Sequence, residues 1–179
     1  VNQSADLLGA DGPFADALPG FAPRETQIRM AQAVEEALAQ KKSLVIEAGT
    51  GIGKTLAYLV PAILSGERVI ISTGTKNLQD QLFFRDLPLV MKALGESAKT
   101  ALLKGRANYL CLHRMLMARA EGRLPSREAV AELVAVIEWS ATTIDGDLSI
   151  SSAVTEQSGL LPLVTSTADN CLGSQCPQF

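Results

Sequence analysis

At 179 residues, 47% apolar and 20% charged, the chain is long enough to bury a core and has the balance of a globular domain. A net charge of −3 removes any global basic signature, so nucleic acid would have to be met by a local patch. No apolar run approaches the ~20 residues that span a bilayer, and an odd count of 3 cysteines argues against a disulfide framework. A soluble, cytoplasmic chain is expected, its thiols serving as metal or cluster ligands or lying plainly buried.

In chain order, residues 1–22 are rich in Gly, Pro, Ala and Asp and predict a flexible leader. Pro23 opens RETQIRMAQAVEEALAQ, where Ile28, Ala31, Val34 and Leu38 recur at near-helical spacing, so a helix is placed over about 24–40. SLVIEA (43–48) has the pattern of a short buried strand and runs directly into AGTGIGKT and the apolar, helix-like LAYLVPAIL. RVIIST (68–73) predicts a second strand, TKNLQDQLFF a helix, DLPLVMKALG another, and TALLK (100–104) a third strand. Strands alternating with helices imply a parallel sheet covered on both faces. After Gly105 the pattern turns helical, over about 109–121 and 126–140. A Gly, Ser and Thr-rich stretch and two cysteines follow. The predicted domains are therefore 23–105, an α/β portion, and 106–179.

Charge is unevenly placed. Lys99, Lys104, Arg106, Arg114, Arg119, Arg123 and Arg127 stand against Glu121 alone, and from Glu128 onward there is no Lys or Arg. Either these are solvated helix faces, or the basic strip faces a phosphate backbone, with Lys104, Arg106 and Arg114 gripping it.

AGTGIGKT (Ala48, Gly49, Thr50, Gly51, Ile52, Gly53, Lys54, Thr55) is the sharpest signal. Between a strand and a helix, its glycines let successive N–H groups point at phosphate oxygens. Lys54 then reaches the terminal phosphates and Thr55 is placed to ligate Mg²⁺. Ala48 stands where the strict pattern has Gly, a departure that a small residue at a strand exit tolerates. The alternative is a plain Gly-rich turn.

RETQ (24–27), EAGTGIGKT (47–55), ISTGTKNLQDQL (71–82), LLKGRANYLC (102–111) and DNCLGSQCP (169–177), in this order, resemble the N-terminal blocks of the DinG and XPD iron–sulfur DNA helicases. The resemblance is closest to the bacterial YoaA-type branch and covers about residues 19–179. It implies part of a RecA-like motor domain followed by a mostly helical cluster insertion, bound to ATP and Mg²⁺ and moving 5′ to 3′ on single-stranded or forked DNA in repair or replication. By the same resemblance, Arg24 and Gln27 would help recognise the base, and Gln offers the donor and acceptor that an adenine edge requires. Thr73, Gly74, Thr75 and Lys76 would contact single-stranded DNA, and Thr75 is equally a helix cap. Cys111, Cys171 and Cys176 would be the first three thiolates of a 4Fe-4S cluster. Its fourth cysteine is expected beyond Phe179, in a chain read as the N-terminal portion of a longer helicase.

Two other roles for the thiols stay open: a zinc site of Cys111, His113, Cys171 and Cys176, or free and buried groups. YoaA-type helicases are associated with a clamp-loader accessory subunit of the replicative polymerase, which the resemblance therefore implies as a partner. The acidic pair that holds Mg²⁺ and positions water in such motors does not appear in these residues, so this chain by itself is expected to be inactive. A non-catalytic nucleotide-binding, DNA-binding or interaction module is the alternative function, and an unrelated phosphate-loop hydrolase a third.

Overall fold

Helices dominate residues 3–178, which the computed structural model describes, and the chain divides into two units, Val1–Leu102 and Leu103–Phe179. In the first unit α1 (Gln3–Leu7), α2 (Pro13–Ala17), α3 (Glu25–Gln40), α4 (Lys54–Leu64), α5 (Lys76–Gln81) and α6 (Leu87–Leu94) follow one another. A π-helical turn, Leu82–Asp86, joins α5 to α6. No Gly or Pro interrupts α3, and its end is marked by Lys41, which turns left-handed at φ 52°. Its partner α4 is apolar on the inner side, where Ala57, Leu59 and Val60 are buried beside Ala31 of α3. Thr75 caps α5, its hydroxyl accepting the Leu78 N–H at 3.2 Å.

The leader departs from expectation. Residues 1–2 lie outside the described residues, but α1 and α2 are packed helices, and Leu8 and Phe14 are fully buried among Ala57, Val60 and Val90. Composition misled because Gly and Pro here shape a tight turn. A Cβ on Gly12 would lie 2.1 Å from the Leu7 carbonyl oxygen, so only glycine allows the chain to pass there. The Glu35 carboxylate of α3 accepts the N–H groups of Gln3 and Ser4 at 3.3 and 3.0 Å, which satisfies the start of α1.

The parallel sheet is the second departure. Among the described residues no strand forms. The segments expected as strands, 43–48, 68–73 and 100–104, are without regular secondary structure. A parallel strand exists only by pairing with a neighbour, and these segments lack one. Val45, Ile70 and Leu103 are correspondingly 96%, 92% and 81% exposed.

The second unit holds α7 (Leu112–Glu121), α8 (Arg127–Ser140) and α9 (Leu161–Val164). Its core joins Met115, Leu133, Val136, Leu148, Leu160 and Val164, with Trp139 half-buried against it. Ser126 caps α8 by accepting the Ala129 N–H at 3.1 Å. The helix expected from 109 starts at Leu112, because Tyr109 is drawn into an antiparallel bridge with Asp147.

Lys104 does not face a phosphate backbone, as the sequence suggested. It is 6% exposed, and its ammonium lies 2.9 Å from an Asp147 carboxylate oxygen. Burial raises the Asp147 pKa, but hydrogen bonds from Ser149 and Lys104 outweigh it and hold the carboxyl below its ordinary value. A carboxyl depressed on folding stabilises above its unfolded pKa, and that contribution is lost as pH falls through the lower folded value. Acid titration followed by near-ultraviolet circular dichroism is thus expected to show loss of second-unit packing below about pH 4. Asp147→Asn should flatten that limb, and an unchanged limb would remove Asp147 as its cause.

Candidate functional site

The phosphate-loop candidate lies between an extended segment and α4, and its shape is set by backbone that L-residues avoid. Gly51 and Gly53 have φ of 77° and 84°. Gly53 is the N-cap of α4 and no side chain caps that end, so the first N–H groups of an 11-residue helix have neither a capping side chain nor an intrahelical acceptor. Such an end, with its favourable dipole, suits an anion.

Lys54 is half-buried and folds back over the loop. Its ammonium donates to the carbonyls of Ala48 at 3.1 Å and Gly49 at 2.6 Å. Those contacts tie the positive charge to the mouth of the cradle, where a phosphate oxygen would compete for the same protons. Thr55 is hydrogen-bonded to Tyr58. Burial pushes the Tyr58 phenol above its ordinary pKa, while that hydrogen bond pulls the other way. Tyr58 has no motif around it, and its one sequence cue is its place one helical turn after Thr55.

Arg24 and Gln27 meet this loop directly. Arg24 donates to the carbonyl of Gly51, and Gln27, 3% exposed, donates to that of Gly53 at 2.9 Å. They are bound to loop backbone through an α3–α4 contact, the most extensive between helices of this unit. A Cβ at Gly53 would come within 2.1 Å of Gln27 Nε2, and buried Gln27 can retreat only by giving up its hydrogen bond. Gly53→Ala is therefore expected to weaken nucleotide binding at least about tenfold, through a left-handed backbone cost of roughly 1–3 kcal/mol plus the collision. Titration with a fluorescent nucleotide measures it. In the double variant with Gln27→Ala the collision is gone and the backbone cost stays, so affinity should recover only in part.

Thr73, Gly74, Thr75 and Lys76 form a separate turn at the start of α5, with Gly74, Thr75 and Lys76 exposed. Thr73 donates through its hydroxyl to the Thr75 carbonyl at 3.3 Å. Arg106 is exposed, whereas Arg114, expected on the basic strip, donates to the Pro162 carbonyl at 2.8 Å and fastens α7 to α9.

Cys111, Cys171 and Cys176 are free thiols, Cys171 exposed and the others partly buried. Among the described residues no three His, Cys, Asp or Glu side chains gather as ligands of one metal, so neither the expected cluster set nor the zinc set with His113 is assembled. No helix among the described residues is long and apolar enough to cross a membrane.

Comparison with known proteins gives a consistent result. The sequence pattern of the DEAD/DEAH box helicases matches residues 27–109. The chain is 51% identical to the ATP-dependent DNA helicase YoaA of Haemophilus influenzae over 99% of its own length and 28% of that protein. It is 53% identical to the Escherichia coli protein of the same name, over 97% of this chain and 27% of that one. Against the ATP-dependent helicase DinG of Mycobacterium tuberculosis it is 39% identical, over 92% and 28% respectively. It spans under a third of each of these relatives.

Proposed function

We propose that this chain, whose residues 27–109 match the pattern of the DEAD/DEAH box helicases, is the nucleotide-cradling segment of an ATP-dependent DNA helicase that moves 5′ to 3′ along single-stranded DNA. The observation that carries the reading is the loop itself. Left-handed glycines, an uncapped helix start and a lysine folded over the cradle come together within residues 48–55. Bound ATP with Mg²⁺ would supply the transferable phosphoryl group and a positive charge to stabilise it. Lys54 would exchange its carbonyl contacts for phosphate oxygens, Thr55 would turn its hydroxyl to the metal, and Arg24 and Gln27 would hold the loop beside the base they help recognise. Exposed Gly74, Thr75 and Lys76, with Thr73, offer hydroxyl, N–H and ammonium groups to a DNA backbone.

The reading extends to a RecA-like parallel sheet, in which 43–48, 68–73 and 100–104 become strands once flanked by partners. It also takes Cys111, Cys171 and Cys176 as three thiolates of a 4Fe-4S cluster, in a cytoplasmic protein whose partners are single-stranded or forked DNA and a clamp-loader accessory subunit. Two features support the cluster. The cysteines match the order of the family blocks, and the Cys111 N–H donates to the Val164 carbonyl at 2.7 Å, which ties Cys111 to the part of the chain that precedes Cys171.

A filter-binding series in rising salt tests the DNA partner. Phosphate contacts predict affinity that falls steeply with salt, whereas weak, salt-independent binding would exclude DNA. Visible absorbance of a full-length protein bearing this chain, purified anaerobically, tests the cluster, since a brown protein supports it and a colourless one rejects it.

A further inference from the structure

The Lys104–Asp147 pair takes no part in the chemistry proposed above, yet it is the most deeply buried charge pair described in the second unit, with side chains 1% and 6% exposed. Asp147 closes the loop Thr143-Ile144-Asp145-Gly146-Asp147-Leu148-Ser149, which is built around carboxylates. Asp145 accepts the Asp147 N–H at 3.1 Å. Asp147 in turn accepts the Ser149 N–H at 2.9 Å and its hydroxyl at 2.6 Å. The cation of this loop comes from far away in sequence: the Lys104 ammonium pairs with Asp147 and donates to the Ser149 hydroxyl at 2.6 Å.

From Lys104 the chain is fastened at successive points. The Lys104 N–H donates to the Tyr109 hydroxyl at 2.9 Å, Tyr109 bridges Asp147, the Leu110 N–H donates to the Gly146 carbonyl at 2.8 Å, and the Cys111 N–H reaches Val164. The loop organised by Lys104 is thus the surface against which Tyr109 and Leu110 are laid, one residue before Cys111.

We propose that Lys104 and Asp147 are positioning residues for Cys111: their buried pair orders loop 143–149, and that loop sets the path of residues 104–111 and the exposure of the Cys111 thiol. The inference deepens the reading of Cys111 as a cluster ligand and rests on it for its use, but its test does not require the cluster. Breaking a buried pair by removing one partner leaves an unpaired charge inside, whereas removing both charges does not.

The experiment follows alkylation of the three reduced thiols by iodoacetamide, resolved by peptide mass spectrometry, in the full chain with Lys104→Met, with Asp147→Asn, and with both Lys104→Met and Asp147→Leu. Each single change is expected to speed Cys111 at least about tenfold by local opening, with Cys171, already exposed, changing less than about twofold. The apolar pair keeps the core filled without ordering the loop, so Cys111 should stay fast while circular dichroism remains that of the unaltered chain. An unchanged Cys111 rate overturns the proposal. So does a rate that rises equally at all three cysteines in every variant, which would make the pair a support of the whole unit. A full-length protein bearing this chain that is colourless after anaerobic purification would reject the cluster, while the selective pattern would keep the positioning role.

Discussion

Lys54→Ala is expected to lower DNA-stimulated ATP turnover of a full-length protein bearing this chain by about 10²–10³-fold, the loss found when one preorganised charge is removed from developing negative charge. The ammonium already stands at the loop mouth, bound to the carbonyls of Ala48 and Gly49. Substrate therefore has only to replace two neutral acceptors with charged phosphate oxygens, and charge-assisted hydrogen bonds are the stronger kind. The loss should fall mainly on kcat if the lysine acts on the transferring phosphoryl group. A change confined to KM would place it in ground-state binding. Steady-state turnover with saturating single-stranded DNA decides the matter, and a variant keeping normal turnover sinks the proposed role of the loop. Fold damage is a poor explanation of such a loss, because Lys54 is half-buried and alanine is a good residue for the first turn of α4.

Phe14→Ala carries the largest expected effect on stability. Phe14 is fully buried and its ring lies 6.1 Å from that of Phe21, inside the core that α4 and α6 share with the leader. Truncation of a buried Phe typically costs about 3–5 kcal/mol, a large part of the ~5–15 kcal/mol by which a domain is stable. Urea unfolding of the chain should show the midpoint moving down with little change of slope. A flexible leader predicts a different number, within about 0.5 kcal/mol of the unaltered chain, as for an ordinary surface site. The effect should also reach the phosphate loop. The core that includes Phe14 lies behind α4, and α3 and α4 together hold Gln27 against Gly53. Weaker nucleotide binding by Phe14→Ala, at temperatures where the chain is still folded, would be the sign of that support.

The sequence by itself determined what depends on neighbours a few residues away. Helices α3, α4 and α8 form close to where apolar spacing and punctuation put them, with Ser126 and Thr75 acting as caps, and Gly51 and Gly53 sit in the left-handed backbone that AGTGIGKT demands. The likeness to helicases, too, was legible, because the order of the matching blocks is a property of the sequence. Tertiary structure decided whatever needs a distant partner. The Gly and Pro-rich leader became α1 and α2 because Leu8 and Phe14 found an apolar surface on α3, α4 and α6. Three strand-like segments formed no strand among the described residues, since β-propensity expresses itself only against another strand. Lys104, one basic residue among several in the text of the chain, became a buried cation when folding brought Asp147, 43 positions on, within 2.9 Å. Burial and long-range pairing belong to the whole assembly of elements, which no local window of residues contains.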